Sequence, residues 1–315
     1  MTLITSSRLR TFRRCRREHH LRYGLGYTTQ SNAAQDFGTL VHKGLEQWWL
    51  SMALEERRID ALSWALLDMR KAGEGADPYD LARAEAMLIG YDSVHGGERY
   101  EVLGVELEWR AELPALPFEE PTKLGGKFDA LVRAGNGRVL IVEHKTSSED
   151  ISPGSAYWAR LRLDGQVSLY YLGAQALGYD VAGVLYDVLG KPGAKPLRAT
   201  ASPRYKKNGQ PYAGQRLADE TPDEYRGRIV EALASDPDRY YQRTTIVRLE
   251  GEQARHLEEL RAEVRELASA APIGNPDACV RYGATCGFFP ACSGERRIEE
   301  YMQIRWPHPE LAEDK

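Results

Sequence analysis

One α/β domain carrying a helical insertion is the fold class this sequence predicts, and three observations predict it. Apolar residues recur at spacings of three and four between residues 37 and 95, the period of helices with one buried face. From residue 100 the period changes to two, first in YEVLGVELEWRAEL (100–113) and then through LGGKFDALVRAGNGRVLIVEHKT (124–146), as half-buried strands require. No internal repeat and no low-complexity linker divides the 315 residues. A single domain over 1–315 is therefore expected, with the helical insertion over about 45–98.

The elements follow in order. Residues 7–22 predict a helix, with Ser6 or Ser7 as its cap. Helices are expected at 37–54, 60–72 and 78–95, a strand at 100–113, and a hairpin turning at Gly135, Asn136 and Gly137. A helix at 164–178 and a strand at 181–189 lead into a long loop at 190–218. Beyond it come a helix near 222–235, a strand near 243–249, a helix near 252–269, and the segment CVRYGATCGFFPAC at 279–292.

Hydrophobic residues at 42% and charged residues at 28% describe a chain with a sizeable core and a solvated surface. No stretch is apolar enough to span a membrane, and the first residues meet arginine where a secretory leader needs an apolar run. A cytoplasmic, reducing compartment is expected, which disfavours structural disulfides and turns clustered cysteines towards metal. Cys279, Cys286 and Cys292 are one thiolate short of a closed site, and Cys15 is the only other cysteine in the chain.

The net charge of −4 hides two basic segments. Arg8, Arg10, Arg13, Arg14, Arg16, Arg17 and Arg22 stand against the lone Glu18 in RLRTFRRCRREHHLR (8–22), a helix that would offer guanidinium groups to phosphates. The loop from Lys191 to Arg216 carries Lys206 and Lys207 among its cations and no acid. Both segments suit grip on a nucleic-acid backbone without base reading, and Tyr205 and Tyr212 suit stacking on unpaired bases.

Chemistry enters at the hairpin. With the turn centred on Asn136, Asp129 and Glu143 lie symmetrically about it and become cross-strand neighbours with converging carboxylates. Lys145 shares their face by the two-residue period, in a strand that is otherwise apolar. Two buried acids and a lysine are costly unless they bind something. The two carboxylates suit a hard divalent cation, with Lys145 orienting a water or steadying the negative charge that builds during attack. Gly38, His42 and Glu46 upstream share one side of a helix, and Gln166 and Tyr170 downstream are again four residues apart.

Taken together in chain order, these features resemble the RecB-like branch of the PD-(D/E)XK nuclease superfamily. They are most similar to its members laced by an iron-sulfur cluster: the AddB nuclease domain, CRISPR adaptation nucleases and phage exonucleases. The resemblance runs from Thr5 to Cys292. It implies a restriction-endonuclease-like core, a mixed central sheet flanked by helices. By position it implies His42, Asp129, Glu143 and the main-chain carbonyl of His144 as ligands of Mg²⁺ or Mn²⁺, and an imidazole in that set favours Mn²⁺. It implies Lys145 as the catalytic lysine, and Gln166 with Tyr170 as the motif that supports the site and contacts DNA. Cys15, Cys279, Cys286 and Cys292 would ligate a [4Fe-4S] cluster that staples both ends of the chain. Four thiolates suit structural Zn²⁺ as well, and the resemblance favours iron.

Two positions depart from the family pattern. Phe128 stands where the superfamily has proline, and the cysteine gaps are six and five residues where two and five are common. The function implied is a metal-dependent deoxyribonuclease, an exonuclease on single strands or DNA ends in recombination, repair or phage replication. A recombination or replication protein is its implied partner. A non-catalytic DNA-end-binding or partner-binding module and an RNA nuclease are the alternatives.

Overall fold

The computed structural model describes residues 3–28, 33–54, 57–113, 122–281, 284–308 and 311. Residues 55 and 56 of the expected helical insertion, and Tyr282 and Gly283 of the cysteine segment, lie outside them. The chain opens with β1 (Leu3–Ile4), α1 (Ser6–Arg14), α2 (Arg16–His19), a π turn (His20–Gly24) and β2 (Tyr27–Thr28). Three helices follow: α3 (Ala33–Ala53), α4 (Arg58–Ala72) and α5 (Pro78–His95). The centre holds β3 (Tyr100–Leu113), β4 (Thr122–Ala134), β5 (Val139–Ser147), α6 (Ala156–Leu161), α7 (Gly165–Ala176) and β6 (Val181–Gly190). After a long connection come α8 (Pro222–Ser235), α9 (Pro237–Tyr240), β7 (Tyr241–Ile246) and α10 (Glu250–Ser269). The short elements β8 (Val280–Arg281), β9 (Ala284–Thr285), α11 (Phe289–Ser293) and β10 (Gln303–Ile304) come last.

β4 organises the sheet. β3 pairs antiparallel along its whole length, while its other edge takes β5 near residues 130–133 and β1 near 123–124. β6 runs parallel to β5, and β7 antiparallel to β6, so the sheet is mixed. The parallel step is made by α6 and α7, which cross from the end of β5 to the start of β6.

Each face of the sheet buries one apolar cluster. On one side α3, α4, α5 and α8 pack Leu45, Met69, Leu88 and Ile229 against Ala130, Val132, Val142 and Leu185. On the other, Leu9, Tyr157, Val167, Tyr170 and Leu260 from α1, α6, α7 and α10 cover Phe128, Leu131, Ile141 and Val184. Each fully buried side chain of this size contributes about 1.5–3 kcal/mol. Gly173 sets how close α7 lies: a Cβ there would fall 2.4 Å from the Trp109 ring. Among the described residues no helix is long and apolar enough to cross a membrane.

Local chemistry accounts for the helix starts. Asp77 accepts the Tyr79 N–H at 2.8 Å ahead of α5, and Pro78 supplies a preset φ at its first position. Thr221 and Glu224 form a capping box on α8, and Asp164 accepts the Gln166 N–H at 2.8 Å to start α7.

The first helix corrects the sequence expectation. Its cap is Thr5, which accepts the Arg8 N–H at 3.2 Å, and the helix breaks at Cys15 instead of continuing to residue 22. Cys15 is extended, with φ −158° and ψ 111°. The break is stabilised from outside: Asn275 Nδ2 donates to the Arg14 carbonyl at 2.9 Å, and the Arg17 N–H donates to the Ile273 carbonyl at 3.1 Å. Those tertiary bonds satisfy backbone groups that a continuous helix would have used.

The strand expected near 243–249 begins earlier, at Tyr241, and ends at Ile246; α6 has no counterpart in the sequence expectation. The connection after β6 is also not structureless. Thr200 N–H donates to the Arg216 carbonyl at 2.9 Å, Tyr212 N–H to Arg204 at 3.1 Å, and Lys206 N–H to Gln210 at 2.7 Å, which folds 200–216 back on itself as an arm around an isolated antiparallel bridge between Tyr205 and Pro211. Glu220 anchors its base, accepting the Leu197 N–H at 2.8 Å and the Arg228 guanidinium at 2.7 and 2.8 Å.

Candidate active site

The β4–β5 ladder ends where its two acids meet. Its last pair is Ala130 with Val142, which leaves Asp129 across from Glu143. Asp129 closes the ladder with its side chain, Oδ2 accepting the His144 N–H at 2.6 Å. From α3, the His42 Nδ1 approaches Asp129 Oδ1 to 3.7 Å. Gly38 lies one turn earlier on α3, where a Cβ would make only ordinary van der Waals contact with Thr146 Oγ1 of β5, at 3.7 Å. Glu46 lies further along the helix and pairs with Lys43 at 2.5 Å.

Glu143 is nearly fully buried at 2% exposure, yet every oxygen on it has a donor. Lys145 Nζ and Gln166 Nε2 donate to Oε1, the latter at 2.8 Å. The Tyr170 hydroxyl donates to Oε2 at 2.5 Å. Gln166 also contacts that hydroxyl at 2.6 Å and accepts Arg10 Nη2 at 3.3 Å, which links the site to α1. Phe128, at the position where proline is usual, is a packing residue: its ring stacks on Trp109 at 6.0 Å and takes the edge of Tyr170 at 5.1 Å.

Their environments push the two carboxyls apart. Burial works to raise Asp129, but the neighbouring His42, His144 and Lys145 outweigh it and hold the carboxyl well below its ordinary range. Glu143 is raised, because burial and the facing Asp129 prevail over the Lys145 and Tyr170 donors. Burial lowers His42, but the Asp129 carboxylate prevails and leaves it raised. Lys145 is likewise raised, the pull of Glu143 overcoming burial.

The His144 side chain turns to the opposite face of β5. Its Nδ1 lies 3.2 Å from Asp187 Oδ2, which also accepts Arg243 Nη2 at 2.7 Å and the Tyr91 hydroxyl at 2.8 Å. Sequence reading missed this buried base beneath the site, because its members are spread from residue 91 to residue 243. It also missed Lys127 and Glu106, which form an ion pair close enough for Asp129 and Glu46 to act on both charges. The E-x-E alternation in 100–113 was the only signal for Glu106.

Two opposed carboxylates, a main-chain carbonyl and an imidazole are the donor types that suit Mg²⁺ or Mn²⁺. Among the described residues, no group of three or more His, Cys, Asp or Glu side chains is gathered closely enough to hold a metal ion. His42 stands 3.7 Å from Asp129, and Lys145 pairs with Glu143.

The arginine segment is largely engaged with the protein. Arg13 pairs with Glu263, Arg16 with Glu266 and Arg14 with Glu18. Arg8 donates to the Leu3 carbonyl at 2.9 Å and to His19, and Arg17 donates to the Pro272 carbonyl at 3.2 Å. Lys206 and Lys207 are exposed on the arm, as are Tyr205 and Tyr212. Cys15, Cys279, Cys286 and Cys292 all line one cavity of about 310 Å³, floored by Phe288 and Phe289. The Cys286 N–H donates to the Cys279 carbonyl at 2.7 Å within it.

A mixed sheet thus lies between helical layers, with Asp129 and Glu143-x-Lys145 meeting at a strand end. The family model of the PD-(D/E)XK nuclease superfamily matches residues 4–293, and the chain belongs to that superfamily. Its members are metal-dependent nucleases, phosphodiester hydrolases that generally use Mg²⁺ or Mn²⁺. No curated protein matches the sequence. A solved structure titled "Crystal structure of SSO0001" is similar at 18% identity and TM-score 0.24, covering 73% of this chain and 82% of that one.

Proposed function

We propose that this chain is a deoxyribonuclease, an exonuclease that hydrolyses phosphodiester bonds in single strands or at DNA ends. The observation that carries the reading is the convergence of Lys145, Gln166 and Tyr170 on the buried Glu143, directly across from Asp129. A strand end so heavily supplied with donors to one carboxylate, beside a second acid, has chemistry to do.

Asp129, Glu143, His42 and the His144 carbonyl would hold Mg²⁺ or Mn²⁺, which when bound supplies charge for the scissile phosphate and an activated water. Lys145 donates to that water or to the developing negative charge. Gln166 and Tyr170 fix the Glu143 rotamer from behind, and Arg10 carries the site outward towards the substrate backbone through Gln166. Arg8, Arg13, Arg14, Arg16 and Arg17 of the same N-terminal segment would add to the grip on that backbone. Arg13 and Arg16 exchange their bonds with Glu263 and Glu266 for phosphates when DNA binds. Lys206 and Lys207 bring the arm to the backbone, with Tyr205 and Tyr212 beside them to stack on unpaired bases. A role in recombination, repair or phage replication, with a partner protein from that machinery, rests on the family resemblance.

The four cysteines are assigned to a [4Fe-4S] cluster, with structural Zn²⁺ as the alternative. Support comes from one cavity lined by all four, drawn from opposite ends of the chain, since a ligand set of that span strongly restricts the unfolded chain.

The test is incubation of the purified protein with end-labelled single- and double-stranded DNA, and with RNA, in Mn²⁺, Mg²⁺ or chelator. Mononucleotide release from DNA, abolished by chelator, is expected. Binding without cleavage in either metal would instead establish a DNA-binding module, and cleavage of RNA alone a ribonuclease.

A further inference from the structure

We propose that Glu106 guards the candidate cation site by holding Lys127 away from Asp129, a positioning role that rests on reading Asp129 as a cation ligand. Three acids stand in a row across three strands. The β3–β4 register pairs Val105 with Ala130 and Leu107 with Phe128, so Glu106 falls across from Asp129 on one side as Glu143 does on the other. Continued regularly, the pleat would bring the Glu106 and Asp129 carboxylates together, as cross-strand partners are.

The backbone prevents that. Glu106 has φ 52°, the only positive φ outside glycine among the described residues. Residues with side chains rarely adopt this region. The turn takes Glu106 out of the alternation, and its carboxylate meets Lys127 diagonally. The register partner of Lys127 is Glu108, whose own carboxylate lies 3.8 Å from Arg110.

Lys127 needs a guard because of where it stands. It lies two residues before Asp129 on β4, close enough for the Asp129 charge to act on it. Asp129 and Glu46 both attract its ammonium, in addition to Glu106. A lysine released there would move onto Asp129 and cancel the charge that a divalent cation requires. Glu106 supplies the competing partner. The pair thus keeps a cation beside the site, out of the ligand set.

Mn²⁺ binding to the protein without DNA, followed by the electron paramagnetic resonance signal of free Mn²⁺, tests this independently of cleavage. Glu106→Gln should weaken binding about tenfold or more, in the range of outer-shell changes at metal sites. The double variant Glu106→Gln/Lys127→Met should restore it to within about twofold, because no lysine remains to be held. Unchanged binding in Glu106→Gln would overturn the inference, and so would a double variant as weak as the single one. Lys127→Met alone, which needs no guard, should bind Mn²⁺ at least as tightly as the unaltered protein; weaker binding also overturns it. Asp129→Ala separates the layers. If it leaves Mn²⁺ binding intact, the cation-site reading falls and this inference with it; if it abolishes binding while Glu106→Gln does not weaken it, only this inference falls.

Discussion

Asp129 and Glu143 oppose each other one step beyond the last paired residues of the β4–β5 hairpin, where the His144 N–H bonds the Asp129 carboxylate at 2.6 Å. A side chain thus takes the hydrogen bond that backbone would otherwise have made. The strands separate beyond this point, and β1 takes the edge of β4 that β5 leaves. The fork frees two acids from the backbone ladder, while the helices on both faces keep them in buried surroundings where charge interactions are strong.

Removing the reacting charges should abolish cleavage without unfolding the chain. Lys145→Ala and Asp129→Ala each delete one charged group and little apolar packing. We expect at least about a 100-fold loss of cleavage rate, typical of losing one electrostatic stabiliser, with the circular dichroism spectrum unchanged. Full activity in either variant would remove the assignment of this site.

Tyr170→Phe isolates one donor. The ring stays against Phe128, but Glu143 Oε2 loses its 2.5 Å bond in a buried place, at a cost of about 1–3 kcal/mol. Burial already raises Glu143, and the Tyr170 bond is among the influences that lower it. Deleting a donor to the ionised form raises it further, so the acid limb of the kcat/KM profile should move to higher pH. Superimposed limbs would show that Tyr170 only packs.

Grip on DNA should divide between the arm and the α1–α2 segment. Lys206→Ala and Lys207→Ala should each flatten the salt dependence of single-strand binding, by about 0.7 in slope for every phosphate left without its cation. Arg13→Ala and Arg16→Ala should change it less, because both guanidinium groups start in ion pairs with α10. Tyr205→Ala should weaken single-strand binding by about 1–3 kcal/mol with duplex binding nearly unaffected. Binding titrations at several salt concentrations give all three answers, and equal slopes throughout would return both segments to ordinary surface.

The cysteines give a prediction readable by eye. Anaerobically purified protein should be brown, with iron and acid-labile sulfide in matching amounts, and colourless if zinc is bound. If Cys15 joins Cys279, Cys286 and Cys292 in one ligand set, Cys15→Ala should lose as much metal as Cys286→Ala, although the two lie at opposite ends of the chain, because either change opens that set. Full iron in Cys15→Ala beside loss in Cys286→Ala would mean that the fourth ligand is another group.

Much of the architecture could be read directly from periodicity. The helices at 78–95 and 222–235 and the strand at 100–113 occupy their expected bounds, since each has a regular apolar repeat and two of the three carry capping residues in the sequence. The opposition of Asp129 and Glu143 was legible for a similar reason: a tight Asn-Gly turn fixes register, and register fixes which side chains face each other. What sequence could not decide were the outcomes of competition between distant groups. Cys15 ends α1 because Asn275 and Ile273 take its neighbours' backbone bonds. Arg13 of α1 and Arg16 of α2 face acids of α10 because the fold brings these helices together, and net charge along a segment says nothing about its partners. Glu106 adopts a conformation that its own residue type disfavours, and Asp187, Arg243 and Tyr91 meet under His144 from three separate elements. Local pattern determines where strands and helices form because it acts over a few residues. The balance of buried charge around Glu143 depends on groups more than 20 residues away in the chain, such as Gln166 and Tyr170, and only the packed sheet brings them together.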